Sequence, residues 1–430
     1  MTGLKRQLTL KDGIALGIGS VMGSGVLFLP SLTYLTAGKD VLLSWIIATL
    51  FCVPLTMIFS ELVGAVPNES GLDGFVELGL GRNVAAAVPV ILLGTVCIGM
   101  PSAALIAGDY VSKYLGTGSQ VSIVVALILI GIAIVANCLG AKTSSVFQKI
   151  VAGLFFILGG SLFFITVPQA SAGYSQLVPE WKISPTLAGV VLAFWAFAGF
   201  ENMTFLAGEF KNPRRDITVS IIVSVAACGA LYLLLTANYA SIIGLANVDP
   251  TTGLAQLAVA SNIPRLSALL VTVLALGAVL INLTAWCWGI SRLVFSSSGK
   301  GFLPSFLNKL DARAIPLRSL VFLLFVFCCV ALLLGTHREF FSLGLRAVSS
   351  NFVMLYLLAT VSYVKCARSR WKKAVGVSLS IALLVALWSS GLILIYSGGL
   401  FIVAWAISKR NNSDNRHQID SPLAKNEVLK

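Results

Sequence analysis

The chain has 430 residues, of which 57% are apolar and 11% charged, against roughly 25% charged in an ordinary soluble domain. So little polar surface cannot cover a water-soluble protein of this length, and lipid is the solvent that fits. The net charge of +13 is a value that nucleic-acid binders also reach, but its placement along the chain excludes that partner and fits a membrane.

Apolar runs of about 20 residues, each long enough to cross about 30 Å of hydrocarbon, occur twelve times. They cover 12–36, 41–65, 84–108, 119–138, 145–167, 186–209, 217–243, 266–291, 317–335, 340–364, 374–390 and 391–408. The expected fold is therefore all-α and polytopic. The flanks of the first run fit a span better than the h-region of a signal peptide, so that run is expected to stay in the mature protein. Only Trp388-Ser389-Ser390-Gly391 separates the last two runs, which predicts a tight hairpin. The tail 409–430 is polar, mixed in charge and expected to be disordered.

With the N-terminus on the inner side and sides alternating, 24 of the 30 Lys and Arg residues fall in inner segments. The outer loops keep Lys39, Lys113, Lys182, Arg265 and Arg338, and Arg346 falls inside the tenth span. This asymmetry is the positive-inside rule. It predicts a multi-pass protein of the cell inner (plasma) membrane with both termini cytoplasmic. The eight cysteines lie in or beside apolar runs without CxxC spacing, and His337 and His417 stand apart. No metal or other cofactor is indicated.

Two spans carry helix breakers at mid-membrane, where a helix must satisfy its own backbone. Span one reads Gly17-Ile18-Gly19-Ser20-Val21-Met22-Gly23-Ser24-Gly25-Val26, and span six reads Phe194-Trp195-Ala196-Phe197-Ala198-Gly199-Phe200-Glu201. Glycine also lets helices pack closely, but Gly23-Ser24-Gly25 is denser than packing needs. Breaks in spans one and six point to a transporter built of inverted repeats. The transporter domain would span 1–408, with repeat one at 12–167, repeat two at 186–364 and two added helices at 374–408. An unwound helix offers free N–H groups at one half-helix start and free carbonyls at the other end. Together these can hold the carboxylate and the ammonium of an amino acid.

These residues resemble the amino acid–polyamine–organocation transporters. The resemblance rests on Gly23-Ser24-Gly25-Val26, on the 194–201 stretch and on Glu209-Phe210-Lys211-Asn212-Pro213-Arg214-Arg215-Asp216, the most specific motif in the chain. Leu139-Gly140-Ala141-Lys142, Ser291-Arg292 and Gly301-Phe302-Leu303-Pro304 agree in order. Gly3-Leu4-Lys5, the Gly99–Leu105 run and Phe194-Trp195 are similar to the bacterial methionine and branched-chain amino-acid exporters of that family. The resemblance implies a LeuT-like fold with substrate at mid-membrane. It implies that Gly23, Ser24 and Gly25 bind the carboxylate, that Ala198 and Gly199 free carbonyls for the ammonium, and that Trp195 covers the substrate. Asn282 and Trp286 of span eight are further candidates. Some relatives place a lysine deep in span five in lieu of sodium. Here the matching position is near Phe155, and Lys149 lies closer to the inner end.

Ionisable groups inside a membrane are costly. Glu201 is either a hydrogen-bond partner for the unwound backbone or a proton-linked gate, and the residues leave both open. Arg346 either snorkels outward, or meets a carboxylate, or lines the outer vestibule. Asp109 and Glu61 are expected at the interface, and Asp73 and Glu77 in solvent. The expected pocket lining is Met100, Cys97, Phe194, Trp195 and Phe197, with Val26 beside the break. That lining offers no counter-ion to a cationic side chain. Neutral apolar amino acids, methionine and leucine among them, are the expected substrates, with a proton as coupling ion. Import or exchange on the same scaffold stays open, because alternating access is reversible. A receptor would normally carry a folded signalling domain, a channel lacks its polar stripe, and no nucleophile–base pair suggests an enzyme.

Overall fold

The computed structural model describes residues 6–65, 71–249, 253–388 and 391–419. Gly3–Lys5, the Ser389–Ser390 turn and residues 420–430 lie outside them. The described residues are almost wholly helical, as the apolar runs require. In order they are α1 (Leu10–Val21), α2 (Gly25–Ala37), α3 (Val41–Ala65), α4 (Gly71–Leu80), α5 (Arg82–Ala85), α6 (Ala87–Leu115), α7 (Ser119–Cys138) and α8 (Ala141–Ala170). There follow α9 (Ile183–Trp195), α10 (Pro213–Ile242), α11 (Gly253–Val259), α12 (Pro264–Gly299), α13 (Leu317–Thr336), α14 (Phe341–Cys366), α15 (Arg370–Trp388) and α16 (Leu394–Ile419). Ten stretches are long and apolar enough to cross a membrane, with a shorter one at Leu394–Lys409. One of the ten, Gly25–Glu61, reverses at Gly38. There Trp45 of α3 donates its indole N–H back to the Thr33 hydroxyl of α2 at 3.0 Å. Counted by passes, the described residues therefore offer twelve candidate crossings.

Hydrogen bonds lock each end of the bundle. On the face where α2 ends, the Asp40 carboxylate accepts the N–H groups of Glu180, Trp181 and Lys182 at 2.7–3.0 Å. Arg338 donates both Nη atoms to Asp109 at 2.9 and 3.0 Å. On the face where α1 begins, the main chain itself makes a joint. Gln7 and Leu8 donate to the Glu209 carbonyl at 2.9 Å, and Lys211 donates to the Leu8 carbonyl at 3.0 Å. Beside that joint, Arg292 of α12 donates to Glu209 Oε1 at 2.6 Å with both side chains buried. Trp288 donates to the same oxygen at 3.2 Å. Asp12 of α1 accepts from Lys149 of α8 at 2.7 Å and from Ser145.

Several sequence expectations change. Asp73 is not solvated: it is fully buried in α4 and pairs with Lys300 at 2.6 Å, because the segment after α3 forms a helix that folds under the bundle. Glu77, on the same helix, keeps nearly half of its side chain exposed. The last two spans are not a packed hairpin. α15 packs on α14, whereas α16 crosses to α6, α5 and α14. Residues 409–419 continue α16 as helix, with no Gly or Pro to end it. Glycines 13, 17 and 19 stay helical within α1. A Cβ at Gly17 would run into the Ser224 hydroxyl of α10, so their service is close packing.

Removing one partner of a buried ion pair leaves a naked charge and costs about 3–5 kcal/mol. Arg292→Met is therefore expected to lower the unfolding temperature sharply in detergent, and Arg292→Met with Glu209→Met to recover most of the loss. A single variant as stable as the parent would contradict the pairing.

Candidate functional site

The first break begins where α1 ends at Val21. Met22 still donates to the Ile18 carbonyl at 2.7 Å, and the next recorded main-chain bond is Leu27 to Ser24 at 3.0 Å. Among the described residues, the N–H groups of Gly23, Ser24, Gly25 and Val26 donate to no protein acceptor. They form the positive end of α2, as helix starts do. The carbonyls at the end of α1 are treated differently. Asn282 of α12 donates to Gly19 O at 2.9 Å and to Ser20 O at 3.0 Å. Trp286, one turn on, donates its indole N–H to Ser20 O at 3.2 Å. α12 thus closes one side of the break and leaves the other open.

The second break begins after Trp195. Turns over 196–199 lead into a 3₁₀ helix from Phe200 to Glu209. The pivot is Gly199, with φ +128°, a conformation that favours glycine. A Cβ there would run into the Ser20 carbonyl oxygen, so the two breaks touch. Asn202 fastens them further, donating to the Ser20 hydroxyl at 3.0 Å and to the Ala285 carbonyl at 2.8 Å. Glu201 is fully buried. Its Oε2 accepts the Gly199 N–H at 3.0 Å and the Tyr356 hydroxyl of α14 at 2.6 Å. Its Oε1 has no partner. Among the described residues, no N–H donates to the carbonyls of Ala196, Phe197 or Ala198.

Between the breaks lies a cavity of about 80 Å³. Gly23, Ser24, Gly25, Met100, Trp195, Ala198, Asn282 and Trp286 line it. The other sequence candidates sit beside it. Val26 is buried behind the break, and Cys97 lies one turn from Met100, outside the lining. Phe194 packs edge-on against Phe51, and Phe197 against Trp45 and Tyr232. Gly199 and Glu201 support the wall without reaching the cavity. Ser20, inside the glycine-rich run of span one, joins the lining, as do Tyr232 and the α14 residues Leu345, Val348 and Phe352, which carry no sequence signal. Their approach depends on how distant helices pack. Tyr232 stacks on Trp45 with ring centroids 4.7 Å apart, and its buried hydroxyl has no partner. None of the lining residues carries a charge. Arg346 is exposed near the start of α14, next to the lining residue Leu345. Phe155, in α8, is buried and apolar.

Comparison with known proteins agrees with this architecture. The profile of the amino acid permease family matches residues 8–416. The chain is 28% identical to an uncharacterized amino acid permease, YecA, of Bacillus subtilis, over 91% of this chain and 93% of that one. It is 26% identical to the L-methionine/branched-chain amino acid exporter YjeH of Escherichia coli, over 96% and 99%. It is also 26% identical to the vacuolar cationic amino acid transporter 4 of Arabidopsis thaliana, over 74% of this chain and 57% of that one.

Gly199→Ala adds both a strained backbone and a collision. It is expected to cost about 2 kcal/mol or more. Gly116→Ala, also at positive φ but with open space around it, is expected to cost about 1 kcal/mol. Thermal unfolding of the two variants side by side measures the difference, and equal losses would remove the contact between the breaks as its cause.

Proposed function

The chain belongs to the amino acid permease family, and on that premise we propose that it exports neutral apolar amino acids: methionine, leucine, isoleucine and valine. The mode is proton-linked secondary antiport by alternating access. The observation that carries this reading is the cavity, which touches both helix breaks and has no charged side chain in its wall. The substrate carboxylate meets the free N–H groups of Gly23–Val26, with the Ser24 and Tyr232 hydroxyls beside them. The ammonium meets the carbonyls of 196–198. The side chain lies among Met100, Trp195, Trp286 and Phe352. In a low-dielectric wall of this kind, a second positive charge on the substrate stays unpaired at a cost of several kcal/mol.

A cationic substrate is the second reading, and the likeness to a cationic amino acid transporter favours it. Against it, Glu201, the buried carboxylate on the second break, does not line the cavity and is held by Gly199 and Tyr356. We assign Glu201 to the proton-linked gate, because it sits on the second break and faces a tyrosine of another helix. The face bearing most of the Lys and Arg, where α1 begins, is the cytoplasmic face of the inner membrane. The two broken elements head an inverted pair of five-helix repeats, LeuT-like in form, followed by α15 and α16.

Ligand-dependent thermal stabilisation of the purified protein tests the substrate. At a hundred times Kd a ligand adds about 2.7 kcal/mol of stability. Methionine and leucine are expected to stabilise and arginine to do nothing, and stabilisation by arginine alone would replace this reading with the cationic one. Ser24→Leu is expected to abolish transport in vesicles while the protein still inserts, and normal transport would remove Ser24 from the site. Glu201→Gln is expected to flatten the pH profile of transport. A profile like the parent's would leave Glu201 a purely structural role.

A further inference from the structure

The face on which α1 begins carries a second cavity, which shares no lining residue with the first. Its volume is about 320 Å³, within the range of about 300–1,000 Å³ common for small-molecule pockets. It lies where α3 and α14 end, α4 passes and α15 starts. Glu61 of α3 accepts there from Lys372 at 2.5 Å and from the Tyr363 hydroxyl at 3.0 Å. Arg368, Ser369 and Leu78 complete the working part of the wall.

The charge balance of this corner is one-sided. Lys365, Arg368, Arg370, Lys372 and Lys373 fall within nine residues around the turn from α14 to α15. Glu61 is the one carboxylate in the cavity wall, and it is shared with a tyrosine. Glu77 of the adjoining α4 approaches Lys300 instead, at 4.0 Å. Among the described residues, no ion pair engages Arg368, Arg370 or Lys373. A cavity with a free guanidinium and a shared ammonium attracts an anion, and the guanidinium fork matches phosphate geometry.

The surroundings say what the anion is attached to. Trp371 stands 59% exposed at the start of α15 and Leu78 54% exposed at the cavity wall. An exposed Trp of this kind suits the membrane–water interface. From there α15 presents Val377, Ile381, Leu384 and Val385 outward at helical spacing. A cationic hollow at the membrane surface, continued by an apolar stripe into the membrane, has the shape and polarity of a phospholipid. We propose that this cavity holds the phosphate headgroup of an anionic phospholipid, with the acyl chains along the exposed face of α15. Arg368 forks onto the phosphate. Lys372 is divided between the phosphate and Glu61, so the carboxylate weakens the site. The wall has cations enough to favour a net-negative headgroup over a zwitterionic one.

The test uses the full-length protein in detergent, titrated with dioleoylphosphatidylglycerol, dioleoylphosphatidylcholine or inorganic phosphate. Retained lipid is read by native mass spectrometry and stability by thermal unfolding. Phosphatidylglycerol is expected to be retained and to stabilise, and phosphatidylcholine to do neither. Each of Arg368→Gln and Lys372→Gln is expected to weaken phosphatidylglycerol binding by about fivefold. Glu61→Gln, which frees Lys372, is expected to tighten it. Because one variant weakens and another tightens, a general loss of folding cannot imitate the pattern. Equal retention of the two lipids, or unchanged binding in Arg368→Gln, overturns the proposal. Stabilisation by millimolar phosphate equal to that by lipid overturns it too, in favour of a free anion.

Discussion

A peptide group without a partner in hydrocarbon costs several kcal/mol, and this chain leaves its helix in the middle of two apolar passes. Everything around the two breaks is arranged by that constraint. Asn282 spends its side-chain amide on two carbonyls at the end of α1, and Trp286 spends its indole N–H on one of the same two. Glu201 takes up the Gly199 N–H, and Tyr356 takes up Glu201 in turn. Around the breaks, the described main-chain groups that receive no such help are those at the start of α2 and in the turn after α9. They are concentrated at one cavity. A polar ligand placed there completes the hydrogen bonding that the fold leaves undone.

Much of this was legible because helix breaking has a local cause. Gly23-Ser24-Gly25 and Gly199 announce the breaks by residue type, and the apolar runs announce the order of the passes. The helix that caps the first break was visible only as two candidate residues, Asn282 and Trp286, with no hint that they serve carbonyls of Gly19 and Ser20. Tyr232, Phe352 and Tyr356 are apolar-span aromatics in the sequence, and nothing in their neighbours marks them. Their approach to the site is decided by the packing of α10 and α14, more than a hundred residues from the first break.

Charge was read poorly where it met another charge. Asp73 reads as a loop residue, yet the helix around it buries the carboxylate against Lys300. Glu209 and Arg292 stand out in the sequence only as parts of separate motifs, and the fold joins them in one buried pair. Such pairs stabilise little against an apolar alternative. What they add here is position, since both lie on the face where α1 begins and tie elements that the sequence keeps far apart.

The main-chain joint between residues 7–8 and 209–211 has a consequence of its own. Peptide groups make all three of its bonds, so most side-chain replacements leave it untouched and proline is the residue that severs it. At about 1 kcal/mol for each bond, an arrangement of the bundle that parts these strands without recompense holds on the order of one molecule in a hundred. Occupancy of that rarer arrangement then becomes a quantity that cargo must supply, through binding it more tightly than the common one. Turnover would therefore track how differently a molecule fits the two forms rather than how firmly it is held in either.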